Sequence, residues 1–461
     1  MSLNIFQGHE SDQDDKHHPH YRRLLQPDME GARRIIEAWA NGFVDRDNKI
    51  VTEFRTTFWS SFWEFYLFAL FKNLGFKVDF SYDRPDFVLN QDGNRMIAEA
   101  VVSYEAVGQQ STSLKIKIPQ PRDLDIEKFL HYSTIRILNS LSSKAKKYKD
   151  DYESLEHVKN KPFILCIAPY EQPLTHIQND RPIRWALYSY DIPIAVDEGT
   201  SKGLLLGHQL KTSVPKNNAT SIDTGFFLKK ENSFISAVLF STTATPTKAK
   251  CMAGSTIEGQ FIHLLTQRYQ PGQLVPKIEL TPLENYSETL LDGAHLFINP
   301  YATNPVNPQP FIDAGFSVCT YDIRAQVPIP TTPSGFLFQR HLIVMNAGCE
   351  VESKKVSLED HQFANKVGLD CLRPVQAKMG HWVDHHMSVY KGWTILINRC
   401  PFDNDWGWIA VKGQYEDVRA FVNANSDDSI PTLIVGEFLS TKEYAFDEAK
   451  EKIKNYCAKN T

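Results

Sequence analysis

Two carboxylates flank a predicted β-hairpin in the segment 82–103. Asp86 opens the first strand, and Glu99 lies inside the second. Asp92 and Gly93 form the turn, because glycine tolerates a positive φ and aspartate can cap the turn with its side chain. A carboxylate inside an apolar strand is costly unless something pairs with it. A divalent cation held between Asp86 and Glu99 would be such a partner, because Mg²⁺ prefers carboxylate oxygens.

This arrangement resembles the PD-(D/E)XK nuclease superfamily. Pro85 and Asp86 match its Pro-Asp element, and Glu99 matches its acidic position. The resemblance implies a nuclease that hydrolyses phosphodiester bonds, with Mg²⁺ or Mn²⁺ bound by Asp86, Glu99 and the backbone carbonyl of Ala100. The superfamily usually has lysine two positions after the glutamate, where this chain has Val101.

A helix is predicted before the hairpin, over 52–74. Its apolar stripe is formed by Phe54, Phe58, Phe62, Phe65 and Ala69. Glu64 stands off that stripe, and periodicity alone favours an exposed surface glutamate. In the superfamily, however, a helix before the core sheet often supplies an acidic side chain to the metal site. The resemblance therefore makes Glu64 a candidate catalytic residue and metal ligand, direct or through water.

A second long helix is predicted after the hairpin, from about 126 to 152. Some branches of the superfamily carry the catalytic lysine on this helix instead of on the strand. The resemblance therefore implies that Lys144 or Lys147 stabilises the phosphate charge and positions the attacking water. Lys144 is favoured, because it lies one turn beyond Ser140 on the same broad face. If neither lysine reaches the site, Val101 would indicate an impaired or inactive enzyme.

The charge of this region differs from that of the whole chain. The 461 residues carry a net charge of −5, whereas residues 111–150 hold nine lysines and arginines against four acids. Such a run is often a solvated helix face. The functional alternative is a track for the phosphate backbone of nucleic acid, with DNA as the expected partner. The candidate contacts of that track are Lys115, Lys117, Arg136 and Lys146.

The predicted elements follow the order helix, three strands, helix, strand. The last of these strands is the apolar run 162–168. This αβββαβ order is that of the superfamily core, an α/β fold whose mixed sheet is flanked by helices. Over residues 20–305 the chain also resembles an uncharacterised bacterial group of PD-(D/E)XK-like proteins, through Phe62-Trp63-Glu64, Arg84-Pro85-Asp86-Phe87, Glu99-Ala100-Val101 and Lys144-x-x-Lys147-Tyr148. Restriction, repair or phage defence would be natural settings for such a nuclease.

Four regions are predicted along the chain. They are an N-terminal tail and helix (1–49), the nuclease-like domain with a strand-rich extension (50–310), a connecting region (311–370) and a small α+β domain (371–461). The boundary near 310 follows a proline-rich stretch. The last region has three predicted strands and a closing helix over 446–457. Its tryptophans, at positions 393, 406 and 408, would stack on bases or, more simply, fill the core of a small sheet.

The sequence leaves three alternatives to the metal nuclease. Without a metal, Asp86 would cap a turn and Glu99 would pair with Arg84 or Arg95. A second alternative is a catalytically impaired nuclease core that serves as a scaffold and binds nucleic acid, which Val101 and the acidic net charge favour. A third function is an interaction protein, a homodimer or a partner-binding chain, that uses its C-terminal domain. The spacing of His381 and His385 would suit a metal only on a helix.

The composition indicates the compartment. The seven cysteines are scattered and form no Cys-x-x-Cys pair, which is typical of a reducing cytoplasm. No apolar run approaches the roughly 18 residues that span a bilayer. The acidic first residues do not have the pattern of a signal peptide. We therefore expect a cytoplasmic chain with no membrane partner.

Overall fold

The chain forms two compact units, residues 1–118 with 125–345, and residues 119–124 with 346–461. The computed structural model describes residues 3–6, 16–103, 125–170, 175–196, 205–217, 220–257, 260–272, 276–346, 383–390, 393–399, 406–412, 433–435, 447, 449–451 and 453–454.

The larger unit combines helices with a long mixed sheet. Its helices are α1 (Pro19–Leu24), α2 (Glu30–Ala40), α3 (Ile50–Thr56), α4 (Trp59–Asn73), α5 (Ile126–Lys147), α6 (Arg181–Tyr188), α7 (Pro246–Ala253) and α8 (Gln309–Asp313). Its strands are β1 (Lys77–Val78), β2 (Phe87–Gln91), β3 (Asn94–Ser103), β4 (Phe163–Pro169), β5 (Tyr190–Val196), β6 (Leu205–Leu210), β7 (Ser213–Asn217), β8 (Thr220–Asp223), β9 (Ala237–Phe240), β10 (Gln260–Arg268), β11 (Lys277–Pro282), β12 (His295–Ile298), β13 (Ser317–Asp322), β14 (Val327–Thr331) and β15 (Leu337–Asn346).

Eight strands form the main sheet, in the order β1-β2-β3-β4-β9-β12-β13-β14. β3 runs parallel to β4 and β4 parallel to β9, whereas β2 runs antiparallel to β3 and β9 antiparallel to β12. A parallel pair needs a long crossover, and α5 supplies it between β3 and β4. The sequence α4-β1-β2-β3-α5-β4 has the predicted order, and the predicted α/β class with a mixed sheet is confirmed.

α4 and α5 cover opposite faces of β3, because side chains alternate along a strand. Ala98 and Ala100 lie in the large apolar core that contains the side chains of α4. Glu99 and the buried Val101 point the other way, toward α5. Every residue of β4 is buried, as expected for a central strand covered on both faces.

The predicted helix over 52–74 is wrong as one element. It consists of α3 and α4, which are separated at Phe58, whose φ is +63°. A helix cannot continue through a positive φ, which costs a residue with a side chain about 1–2 kcal/mol. Phe58 is fully buried, and its ring lies 5.2 Å from Phe54 and 5.4 Å from Phe62. Aromatic packing therefore stabilises the break.

The predicted boundaries also change. β13 and β14 extend the main sheet and β15 joins β10, so residues 311–345 belong to the larger unit and are not a connector. At the other end, Ile5, Tyr21 and Ile36 are fully buried in the same core as α4. The described residues of this region, 3–6 and 16–49, are therefore part of the larger unit and not a separate tail and helix.

The smaller unit has an antiparallel sheet, in the order β16 (Val383–Tyr390), β17 (Trp393–Arg399), β18 (Trp406–Lys412) and β19 (Leu433–Val435). Trp393 and Trp408 are buried, which confirms the core-packing role for two of the three tryptophans. His385 lies on β16, so the helical spacing that would suit a metal is absent there, and His381 falls outside the described residues. The described part of 447–454 is helical and buries Ala449 and Ile453.

Candidate active site

Asp86 and Glu99 face each other across the β2–β3 hairpin. The ladder pairs Phe87 with Ala98, which places Asp86 opposite Glu99 one step beyond it. The Asp86 amide donates to Glu99 Oε2 at 3.4 Å, and the Ala100 amide donates to Asp86 Oδ2 at 2.8 Å. Like charges at directly opposite positions destabilise a sheet. The hairpin therefore holds two carboxylates together at a cost that a nearby cation would offset.

α5 brings two cations to this pair. Lys144 Nζ lies 2.7 Å and Lys147 Nζ 3.0 Å from Glu99 Oε1. The carboxylate is fully buried, whereas the two lysine side chains remain 24% and 42% exposed. Both ammonium groups thus reach a buried anion from the solvent side, although residue 101 on the strand is valine. Ser140 lies on the same side of α5, since its hydroxyl is 3.1 Å from that of Ser103 on β3.

Tyr152 completes the surroundings of Glu99 and was not anticipated from the sequence. Its hydroxyl lies 3.0 Å from Oε1 and 3.1 Å from Oε2. It belongs to a π-helical turn, Tyr148–Tyr152, that directly continues α5. Such turns are rare and frequently occur at functional sites. In the sequence, only the tyrosine content of this stretch hinted at it.

The alternative pairing of Glu99 with an arginine is wrong. Arg95 instead donates to Asn90 Oδ1 at 3.2 Å and lies 3.9 Å from Asp79. Arg84 contributes its carbonyl oxygen to His157 and no ion pair to Glu99 among the described contacts.

Glu64 approaches from the other face of the sheet. It lies on α4, is half-buried, and makes no hydrogen bond or ion pair with the described residues. Burial raises the pKa of its carboxyl well above the usual value, and the charge of Asp86 raises it further, while Arg46 opposes the shift. Glu64 therefore lies close enough to Asp86 and Glu99 for their charges to act on its carboxyl. Within the described residues, no three His, Cys, Asp or Glu side chains come close enough to hold a metal ion.

The two central carboxyls differ in acidity. Burial, and then the charge of Glu99, raise the pKa of Asp86 to about 6. Burial alone would also raise the pKa of Glu99, but Lys144 and Lys147 more than offset it, so that this pKa is lowered. Glu99 is consequently ionised at neutral pH, whereas Asp86 titrates close to it. Environments that separate the pKa values of two carboxyls are typical of acid–base sites.

The chemistry of these oxygens fits one divalent cation. Glu99 Oε1 receives both lysines and Tyr152, and Asp86 Oδ2 receives the Ala100 amide. Asp86 Oδ1 receives no donor from the described residues, and Glu99 Oε2 receives only Tyr152 and the long contact from the Asp86 amide. These two oxygens are hard ligands on adjacent side chains. Asp86 and Glu99 would thus hold the ion, and water would complete its coordination.

Of the residues predicted to contact nucleic acid, those that the structure describes do not cluster around Asp86 and Glu99. Lys146 is exposed, but it lies about 200° around α5 from Lys144, at 3.6 residues per turn. It lines a surface cavity of about 350 Å³ with Lys149 and Lys229. Arg136 lies on α5 roughly two turns before Lys144 and is half-buried. Lys115 and Lys117 fall outside the described residues.

Comparison with protein-family models, with curated proteins and with solved structures gives no match to this chain. In the part of the chain that the structure describes, no helix combines the length and the apolar character needed to cross a bilayer. The role of the chain must therefore be argued from the geometry around Asp86 and Glu99.

Proposed function

We propose that this chain is a metal-dependent nuclease with a PD-(D/E)XK core, and that its substrate is DNA. The observation that carries this function is the convergence of two adjacent carboxylates from a hairpin with two lysines from the following helix. Asp86 and Glu99 lie side by side, and Lys144 and Lys147 both contact Glu99. The order of α4, the hairpin, α5 and β4 is also that of the superfamily core.

Each group has a chemical role in phosphodiester hydrolysis. Bound by Asp86 and Glu99, Mg²⁺ or Mn²⁺ would polarise the phosphodiester and lower the pKa of an attacking water. With a divalent ion bound, the ion and the two lysines would carry two more positive charges than Asp86 and Glu99 neutralise, which would leave charge to stabilise phosphate oxygens. Tyr152 holds the Glu99 carboxylate in one orientation. Glu64 has no such partner among the described residues and would act through water.

The test is cleavage of plasmid, linear DNA and RNA in Mg²⁺ or Mn²⁺. We expect the parent to cleave DNA, and Asp86→Asn and Glu99→Gln to lose at least about 100-fold in rate, since each removes charge at the reacting centre. If Lys144 contacts the phosphate, Lys144→Met should lower the cleavage rate by a similar factor. Lys147→Met should then lower the rate less. Thermal unfolding shows whether each variant is folded.

Two exposed residues give matched controls. Asp92 lies in the turn of the same hairpin, and Lys128 lies on α5 beside Asp125. Asp92→Asn and Lys128→Met remove the same charges at a distance from the site and should cleave at the parental rate. Cleavage that survives in Asp86→Asn and Glu99→Gln would place the activity elsewhere, in this chain or in a contaminant.

A second function, binding of nucleic acid without cleavage, is favoured by one observation. Both lysines and Tyr152 contact Glu99 Oε1, so the charge of this carboxylate is already offset without a metal. An intact substrate together with salt-dependent binding would support this function. Calorimetric titration with Mn²⁺ separates the two, because only the nuclease requires the cation.

A further inference from the structure

The segment that ends in Asp86 accepts hydrogen bonds from two side chains that lie far from it in the sequence. We call residues 82–86 the Asp86 loop. Arg46, which follows α2, donates through Nη1 to the carbonyl of Tyr82 and through Nη2 to that of Asp86, the latter at 3.4 Å. His157, which follows the π turn, donates through Nε2 to the carbonyl of Arg84 at 2.9 Å. Three of the five carbonyls of the loop thus have a side-chain donor.

Ring stacking adds a second contact between His157 and the loop. Its imidazole stacks on Tyr82 with 3.9 Å between the ring centroids and 21° between the planes. Because a carbonyl can only accept, the hydrogen bond to Arg84 requires the proton of His157 on Nε2. The ring plane and the proton position are therefore both fixed by the loop.

The end of the loop is fixed on β3. The Asp86 carboxylate accepts from the Ala100 amide, and the Asp86 amide points at Glu99 Oε2. The direction of the carboxylate therefore depends on the backbone that Arg46 and His157 hold. Arg46 also lies close enough to Glu64 to favour its ionised form. The Arg46 guanidinium thus holds the backbone of the Asp86 loop and also offsets negative charge near the site.

We propose that Arg46 and His157 are positioning residues, which hold the Asp86 loop so that Asp86 and Glu99 together bind the divalent cation of the site. This role rests on the proposed nuclease function. Groups that orient metal ligands typically change metal affinity 10–100-fold when they are removed, although they never touch the ion. The expected defect is therefore in metal binding, and the rate at saturating metal should be largely retained.

The experiment uses the full-length chain and two pairs of substitutions. His157→Leu and Arg46→Met remove the donors, whereas His157→Gln and Arg46→Lys keep one. Gln is the conservative choice because its amide nitrogen reaches about as far as Nε2 of histidine. His131→Leu and Arg34→Met are the controls, since His131 lies beside Glu127 on α5 and Arg34 beside Glu30 on α2.

Three measurements are made on each variant. Hydrogen exchange measures how fast the backbone amides of the Asp86 loop exchange with solvent. Calorimetry measures the affinity for Mn²⁺, and plasmid cleavage measures the rate as a function of the Mg²⁺ concentration. We expect faster exchange in the loop, roughly tenfold weaker Mn²⁺ binding, and cleavage restored by excess Mg²⁺ for His157→Leu and Arg46→Met. His157→Gln and Arg46→Lys should recover most of the affinity, and the controls should match the parent.

The outcomes separate this role from the nuclease function. Unchanged loop exchange in both His157→Leu and Arg46→Met would overturn the positioning role, whatever the activity. Faster exchange with parental Mn²⁺ affinity would overturn it too, because the loop would then not determine metal binding. A parent that neither binds Mn²⁺ nor cleaves nucleic acid contradicts the nuclease function and the positioning role with it, while the exchange data still show whether the two side chains hold the loop.

Discussion

Tyr152 lies almost equally far from both oxygens of Glu99, so its hydroxyl restricts rotation of the carboxylate. Tyr152→Phe removes this donor and leaves both lysines in place. We expect the free energy of unfolding to fall by about 1.5–3 kcal/mol, the range for a hydrogen bond to a charged group. The cleavage rate should fall roughly tenfold, as for other groups that orient a metal ligand. Urea unfolding and plasmid cleavage measure the two effects.

Tyr148→Phe is the matched control for this substitution. Tyr148 lies in the same π turn and is buried, but its hydroxyl makes no hydrogen bond to a described residue. An equal loss of stability in Tyr148→Phe would mean that the π turn, and not the contact with Glu99, responds to the missing hydroxyl.

The acidity of Asp86 predicts how stability depends on pH. Its pKa is raised to about 6 by burial and by Glu99, whereas an unfolded aspartate titrates near about 3.9. The folded state therefore holds a proton that the unfolded chain releases. This group contributes stability below about pH 4 and loses it as the pH rises through about 6. Asp86→Asn should thus become more stable relative to the parent between pH 4 and 8 in EDTA.

Urea unfolding of the parent and Asp86→Asn at pH 4, 6 and 8 measures this difference. Replacing EDTA by Mn²⁺ at pH 8 should stabilise the parent and not the variant, because a ligand that binds only the folded state adds to its stability. A difference in unfolding free energy that stays constant from pH 4 to 8 would show that Asp86 is already ionised throughout this range.

At the scale of single residues, the sequence indicates Asp86 and Glu99 but not Tyr152. The two carboxylates belong to one hairpin, so their proximity follows from a two-residue turn. An α-helical spacing from Lys144 and Lys147 would place Asp151 on the face of Glu99, at i+7 and i+4. The π turn shifts the register by one residue and brings Tyr152 there instead. Periodicity alone contains no signal for that shift.

At the scale of elements, what is local is predictable and what depends on tertiary packing is not. The strand character of β3, the length of α5 and the order of the core elements are all evident in the sequence. The break between α3 and α4 is not, since Phe58 continues the apolar spacing of its neighbours. The packing of its ring against the neighbouring aromatic rings offsets the cost of its positive φ. Propensity is a weak guide where such packing decides.

At the scale of the whole molecule, side chains far apart in the sequence meet in a buried ionic network. Lys248 on α7 lies 2.7 Å from Glu288, and both side chains are fully buried. Arg340 on β15 lies 2.7 Å from the same carboxylate oxygen. Lys248 also donates to the carbonyls of Thr289 and Asp292, at 3.0 and 2.8 Å. The network connects three segments of the larger unit.

Lys248→Met keeps the length of the side chain but leaves Glu288 with one cation and removes the donor to both carbonyls. We expect the free energy of unfolding to fall by roughly 3 kcal/mol, because a buried charge then loses a partner. Chemical denaturation measures the loss, and Lys229→Met, on the surface, should cost little by comparison. A loss below about 0.5 kcal/mol, typical of surface substitutions, would mean that Arg340 and the Tyr286 hydroxyl together satisfy Glu288.

The extent of the larger unit could not be predicted from the sequence. The proline-rich stretch before residue 310 indicates an exit from the domain, but β13 returns to pair in parallel with β12. That pairing is between segments about 20 residues apart, and no local pattern encodes it. The fold class was predictable because the periodicities of helices and strands are local features of the sequence. The number of strands in the sheet depends instead on pairing between distant segments.

The position of α4 in the sheet unit has a consequence for synthesis on the ribosome. α4 is apolar on nearly all sides, and the core around it includes Leu239, Leu296 and Val318. The helix is complete when residue 73 has been made, and β2 and β3 follow within about 30 residues, yet β9, β12 and β13 emerge more than 160 residues later. At 5–20 residues per second this delay is roughly 10–30 s. During that interval the part of the apolar core that these late strands complete stays exposed on the nascent chain. We therefore expect chaperones that act at the ribosome exit to bind it.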